Sequence, residues 1–141
     1  MGIVTYDPKL VSFSIGENTI VGYAPGTFIE FEANEDEWTT VVGADGKTCR
    51  VKSNNLTAQF RVTLMQTSPS NDILSALRNA DRISNSGSKP AFLKDGGGRT
   101  VISAQNCWVK KLAPTAYATD HSTREWVLET DEYAPPNIGG N

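Results

Sequence analysis

The sequence predicts a mainly β protein, a β-sandwich or β-barrel of about seven to eight strands with one flanking α-helix. Three observations predict it. Ala58, Phe60, Val62 and Leu64 alternate with Gln59, Arg61, Thr63 and Met65, the period-2 pattern of a strand with one buried face. Shorter alternating runs recur along the chain, separated by Gly, Pro, Asn and Asp turn signals. A single stretch, Ile73, Leu74, Leu77 and Ala80, has helical spacing. The 141 residues read as one domain. A chain of this length buries roughly 68% of its unfolded surface and needs no disulfide or metal to fold. The apolar content, 38%, is lean. That suits a thin sandwich, or a fold that finishes burying its surface in an oligomer.

The elements follow in order. Residues 1–8 form an arm with little core of its own. Val11, Phe13 and Ile15 alternate with Ser12 and Ser14 as a first strand, and residues 19–22 extend a short return. Pro25-Gly26 is a turn signal. Residues 28–33 are a strand with Ile29, Phe31 and Ala33 on one face and Phe28, Glu30 and Glu32 on the other. An acidic turn, 34–37, and a return over 38–43 make residues 28–43 read as a hairpin. Residues 43–55 are polar and turn-rich, with a short strand at 49–52. The long strand covers 56–66. Ser68 is placed to cap a helix, Pro69 to take its first position and Asp72 to meet the positive end of its dipole, giving a helix over 69–80. Its apolar stripe packs on the sandwich of its own subunit and leaves Arg78 and Asn79 to neighbours. Residues 81–89 read as a loop. Residues 91–94 and 100–110 form a second long hairpin around Gly96-Gly97-Gly98. An irregular excursion over 112–122 leads to a last strand, 123–130, with Trp126 and Leu128 on one face. A Pro/Gly tail closes the chain.

Nothing in this pattern marks out chemistry. His121 is the single histidine, and Asp120-His121-Ser122 are adjacent, whereas a triad needs groups converging from separate elements. One His, two distant Cys and scattered carboxylates match no metal-ligand spacing. Gly96-Gly97-Gly98-Arg99 lacks the Gly-Lys-Ser/Thr ending of a phosphate loop and reads as a hairpin turn. The expectation is a protein that is not an enzyme and takes no cofactor. Cys49 and Cys107 read as reduced thiols on two strands. No apolar run opens the chain or approaches ~20 residues, so the expectation is a soluble protein made in a cytoplasm. The net charge of −3 is not that of a dedicated nucleic-acid binder. Lys47, Arg50 and Lys52, and separately Lys110 and Lys111, read as solvated or interface patches. Trp38, Trp108, Trp126 and the tyrosines could instead supply a ligand-binding face on a monomeric β-sandwich module.

Several segments together resemble one family. They are the Gly-Ala-Asp-Gly turn at 43–46, the long alternating strand, and the Thr-Ser-Pro-Ser-Asn-Asp block leading into the helix. With them go the strand at 90–95 with its glycine turn, the Ala-Gln-Asn-Cys-Trp-Val-Lys segment at 104–110, Arg124-Glu125-Trp126, and the terminal Gly139-Gly140-Asn141. Over about residues 9–141 the chain resembles the tail tube subunits of contractile-tailed bacteriophages. The resemblance implies homohexameric rings stacked head to tail into a hollow tube, each subunit giving strands to a barrel shared around the ring. It implies a place in the virion tail, assembled in the host bacterial cytoplasm. The implied partners are the tail sheath, tape measure, baseplate and tail terminator proteins, with DNA passing through the lumen without specific binding.

Site expectations follow from this resemblance. A loop at residues 44–55 reaches the neighbouring ring, making Asp45, Lys47, Arg50 and Lys52 inter-ring contact candidates. The N-terminal arm does the same through Ile3 and Tyr6, and residues 132–141 form a C-terminal tail. A lumen that passes DNA should not grip it, which disfavours a basic lining. Glu30 and Glu32 are therefore the lumen-lining candidates, against an outward face or a subunit contact. A tube subunit of a contractile injection or secretion machine is the nearest alternative, with the same fold and a different cargo.

Overall fold

The computed structural model describes residues 2–140; Met1 and Asn141, the outer ends of the expected arm and tail, lie outside them. Nine strands and one α-helix appear in this span. They are β1 (Val11–Ile15), β2 (Asn18–Ile20), β3 (Ile29–Ala33), β4 (Trp38–Val42), β5 (Thr48–Lys52), β6 (Ala58–Met65), α1 (Ser70–Ser84), β7 (Lys89–Asp95), β8 (Val101–Lys111) and β9 (Thr123–Thr130). Seven strands form one sheet in the order β2-β1-β7-β8-β9-β6-β3, and β4 and β5 form a separate pair. Every pairing is antiparallel. The mainly β class and the single helix agree with the sequence reading.

The large sheet curls onto itself. β1 and β6 are separated in the sheet by β7, β8 and β9. Four strand spacings would hold them about 19 Å apart in a flat sheet. Yet the rings of Phe13 on β1 and Phe60 on β6 lie 4.9 Å apart, centroid to centroid. The alternating residues of β6 explain this. Ala58, Phe60, Val62 and Leu64 are fully buried, and the last three meet Phe13, Ile15 and Leu128 in one core. The chain just past β2 completes the curl. Ala24 N–H donates to the Thr63 carbonyl at 3.0 Å and Met65 N–H to the Gly22 carbonyl at 2.8 Å. Gly22 is required here, because its φ is +77° and a Cβ would meet the Ser68 hydroxyl at 2.6 Å.

Helix α1 packs its apolar stripe on the sheet of its own subunit. Leu74 is fully buried, and Ile73 and Leu77 pack against the same core. The helix starts at Ser70, with Pro69 as the residue before it and no side-chain cap bond from that position. Ser68 still serves the start. Its hydroxyl accepts from Ser70 N–H at 3.2 Å and donates to the Val21 carbonyl at 2.6 Å. Ser70 returns the favour, accepting from Val21 N–H at 2.9 Å, which staples the helix to the chain after β2. The helix runs on to Ser84, beyond the expected end at 80, and stops where Asn85 turns left-handed with φ 56°.

One sequence expectation is corrected. Residues 28–43 do not form a hairpin: β3 pairs with β6 and β4 pairs with β5. β3 carries Ile29 and Phe31 into the core, so its partner is the long buried strand, whereas β4 has no buried residue to follow it. The short strand expected at 49–52 is present as β5, half of a projecting hairpin with β4. The tail is paired. Ala134 N–H donates to the Ser103 carbonyl at 2.9 Å and Asn137 N–H to that of Val101 at 3.0 Å, so the tail prolongs β9 alongside the first half of β8.

Candidate assembly surfaces

The outer face of β3, β6 and β9 is largely polar. Register places Glu30 beside Arg61 and Glu32 beside Gln59, then Gln59 beside Glu129 and Thr63 beside Glu125. Directly opposed residues share a face. This face therefore carries Glu30, Glu32, Glu125 and Glu129 against one guanidinium, Arg61. Arg61 sits between both candidate glutamates, 3.5 Å from Glu30 and 3.7 Å from Glu32. All three side chains are substantially exposed, so these contacts contribute on the order of 0.2–1 kcal/mol each. On β8, Lys110 makes a 3.2 Å ion pair with Glu129. The lining expected from Glu30 and Glu32 alone is thus charge-compensated in part. The sequence reading had Arg61 on the polar face of the long strand and Lys110 in a basic patch, without their glutamate partners. Strand alternation put Arg61 on the outer face, but only the β3–β6 register brings it between the glutamates.

The β4–β5 hairpin has a different character. Every residue of both strands is exposed. Register gives it two faces. Trp38, Thr40 and Val42 share one with Lys52, Arg50 and Thr48; Thr39 and Val41 share the other with Val51 and Cys49. On the first face the Arg50 guanidinium lies 3.9 Å from the Trp38 ring centroid. The second is almost wholly apolar, with Val41 53% and Val51 50% exposed. At the tip, the Asp45 carboxylate accepts from Lys47 N–H at 3.1 Å, and Gly46 takes φ +86°. Asp45, Lys47, Arg50 and Lys52 all lie on this one projecting element. Two expected contact residues, Ile3 and Tyr6, lie elsewhere, on the N-terminal arm ahead of a 3-10 turn at Pro8–Leu10. Ile3 is 95% exposed and Tyr6 lines a small apolar cavity with Val11, Gly26, Phe28 and Ile29.

No catalytic constellation forms among the described residues, and no group of His, Cys, Asp or Glu there could hold a metal ion. His121 is exposed on a loop. Cys49 is a free exposed thiol and Cys107 a free buried one. Burial pushes the Cys107 thiol up to about 12 and the Tyr23 hydroxyl likewise to about 12. The tryptophans share no binding face. Trp126 is in the core, donating from Nε1 to Asn71 at 2.9 Å; Trp108 is half-buried beside Glu129; Trp38 is on the hairpin.

A long polar sheet face, a projecting two-faced hairpin and an exposed arm are what a repeating structural subunit presents. Residues 11–133 match the protein family described as bacteriophage PhiTE tail tube protein. The chain belongs to this tail tube family. Structural protein ORF10 of Pseudomonas phage KPP10 is 30% identical over 132 residues, covering 88% of the tube subunit and 76% of ORF10. The same fold occurs in the tube-terminating cap of the anti-feeding prophage, with TM-score 0.64 and 10% identity over 95% of this chain and 92% of that one. It occurs in the sheath–tube complex of the extracellular contractile injection system PVC, with TM-score 0.63 and 13% identity over 92% and 90%. A chain of the native gene transfer agent virion matches with TM-score 0.62 and 11% identity over 93% and 100%. The protein is a structural subunit of a phage or injection-system tube. The fold is common to both kinds of particle, so contractile-tailed phages are not singled out.

Proposed function

We propose that the chain builds the inner tube of a phage tail as six-membered rings stacked head to tail, with a lumen that conducts DNA during ejection. The family match over residues 11–133 carries the reading. Edge chemistry supports the ring. β3 ends the large sheet, pairing with β6 alone. Phe28 accepts from Thr63 of β6 and Asn34 donates to Thr57 just before it, so the alternate residues Ile29, Phe31 and Ala33 direct their N–H and C=O groups to the open edge. Beyond Cys107, β8 pairs with β9 alone, which opens a second edge. An unpaired edge is a template for another chain. The block β8-β9-β6-β3 has an even number of alternating strands. The β3 of one subunit therefore meets the β8 of the next in antiparallel sense, and a head-to-tail ring closes without a mismatch. The face so closed carries Glu30 and Glu32, and their partial compensation by Arg61 gives a polar wall with little grip on a polyanion. In this reading the sheath, tape measure, baseplate and terminator proteins contact the tube, which is assembled in the host cytoplasm.

Electron microscopy of the purified protein over a concentration series, with native mass of the smallest species, tests this. Rings of six copies and hollow tubes are expected; a monomer at every concentration would overturn it. The second reading, a tube that passes protein in an injection machine, is favoured by the likeness to the anti-feeding prophage and PVC structures. Lumen density in intact particles separates the two, as duplex DNA or as protein.

A further inference from the structure

The two open edges of the large sheet carry opposite charge on the same face. At the β3 edge, Glu30 and Glu32 share a single guanidinium, Arg61. Glu32 is the looser of the two, with its side chain 65% exposed and 3.7 Å from Arg61. At the β8 edge, Lys110 and Lys111 stand beside one carboxylate, Glu129, which holds Lys110 at 3.2 Å. Lys111 is opposite Val127, and Val127 is opposite Arg61, so both lysines lie on the glutamate face. Among the described residues Lys111 has no ion pair. One edge therefore has a carboxylate in excess and the other an ammonium. The remaining carboxylate of this face, Glu125, is opposite Thr63 and belongs to neither edge.

We propose that Lys111 of one copy pairs with Glu32 of the next, and that this contact fixes the register in which neighbouring subunits join. The inference rests on the ring reading and names the side chains that close the ring. Backbone pairing by itself leaves the register open, because a slip of two residues keeps the same faces together. Two features remove that freedom. Within one subunit Ala33, Ala58, Thr130 and Cys107 lie on one line across the sheet. At Cys107 the edge of β8 away from β9 is already taken by Lys89 of β7. The β3 of the next copy therefore stops short of Cys107, with its Ala33 opposite Val109. Both residues face the core side: Ala33 is opposite buried Ala58, and Val109 packs against the core. The adjoining position sets Glu32 against Lys110 and Lys111, where β8 slips by one residue relative to β9. Lys110 is held by Glu129, which leaves Lys111 for Glu32. A slip of two residues the other way would drive Ala33 onto Lys89 and put Glu32 beside Trp108. Beyond Ala33 the acidic turn at 35–37 runs on toward Lys89, an exposed cation without an ion pair among the described residues.

Charge reversal tests the contact. Glu32 and Lys111 are both exposed, so Glu32→Lys and Lys111→Glu should melt like the wild-type subunit. By native mass and electron microscopy, each single variant should lose rings at the concentration where the wild type forms them. The Glu32→Lys/Lys111→Glu double variant should regain them. The register is read separately, with all charges kept. In a Cys49→Ser background, Ala33→Cys/Val109→Cys should give a covalent ladder on a non-reducing gel after mild oxidation, since a hydrogen-bonded antiparallel pair has the Cα spacing of a disulfide. Within one subunit these positions are three strand spacings apart, about 14 Å, too far for an internal bridge, and Cys107 is buried. Single variants that assemble like the wild type, a double variant no better than either single, or rings without the ladder would each overturn the contact while leaving the ring reading intact. Wild-type protein that forms no ring at any concentration would remove both.

Discussion

Two regions of this subunit use the same local code with opposite results. β6 and the β4–β5 pair both carry valine, threonine and arginine along antiparallel strands. In β6 every second residue is buried against β1, β9 and α1, with Ala58, Phe60, Val62 and Leu64 all at 0% exposure. In the hairpin no residue is buried. Period-2 patterning makes a strand in each place, but only the body supplies a second layer. The body is stabilised within the chain, while the hairpin's apolar face stays exposed in the subunit. The contrast teaches that strand formation and burial are separate decisions in an assembling protein.

The body should be the costly place to cut. Phe60→Ala removes a ring that contacts both Phe13 and Phe31. It should lower unfolding free energy by about 3–5 kcal/mol in urea titrations. A loss below 1 kcal/mol would mean the curled sheet is not the source of stability. Alkaline pH tests the same core without mutation. Cys107 rises from 9.0 to about 12 and Tyr23 from 10.0 to about 12 through burial. The unfolded chain gives up these protons first, so their contribution is complete below about pH 9 and is lost as pH climbs from 9 to 12. The urea midpoint should fall across that window, and Cys49 should react with a thiol reagent long before Cys107 does.

Smaller effects sharpen the contrast. Trp126→Phe keeps the ring's bulk but leaves Asn71 Oδ1 without its 2.9 Å donor. A cost of about 1–2 kcal/mol is expected, read from thermal melts. Arg61→Gln should change stability by less than about 1 kcal/mol, because its ion pairs are exposed. It should nonetheless leave the β3 glutamates uncompensated within the subunit, so that assembled tubes are shorter at low salt and recover length as salt screens the repulsion. Val41→Thr should be the mildest for the isolated subunit, within about 0.5 kcal/mol as for other surface changes, and still shorten tubes. Equal losses at Val41 and Phe60 in the monomer would erase the difference between the two regions.

Much of the body was legible in order. The β6 alternation, the α1 stripe, the β7–β8 hairpin and β9 all fall where patterning places them, since burial on one face imposes a period that survives in the sequence. The hairpin expected over 28–43 failed because adjacency in sequence does not decide pairing. β3 instead follows the buried register of β6, about 25 residues on. The assembly surfaces were legible as residues but not as arrangements. Glu30 and Arg61 could each be assigned to an outward face, and Lys47, Arg50 and Lys52 to a basic patch. That Arg61 stands between two glutamates, and that the basic patch backs onto an apolar face, are facts of register.

By itself the sequence determined the β class, the helix and the buried faces of the long strands. These are set by side-chain period and residue type, which act locally. Tertiary structure alone decided that the sheet curls until Phe13 meets Phe60, that β3 and the far half of β8 keep open edges, and that the β4–β5 hairpin stands away from the core. Those outcomes depend on which strands compete for the same partner, and a competition between distant segments leaves no periodic trace in the chain.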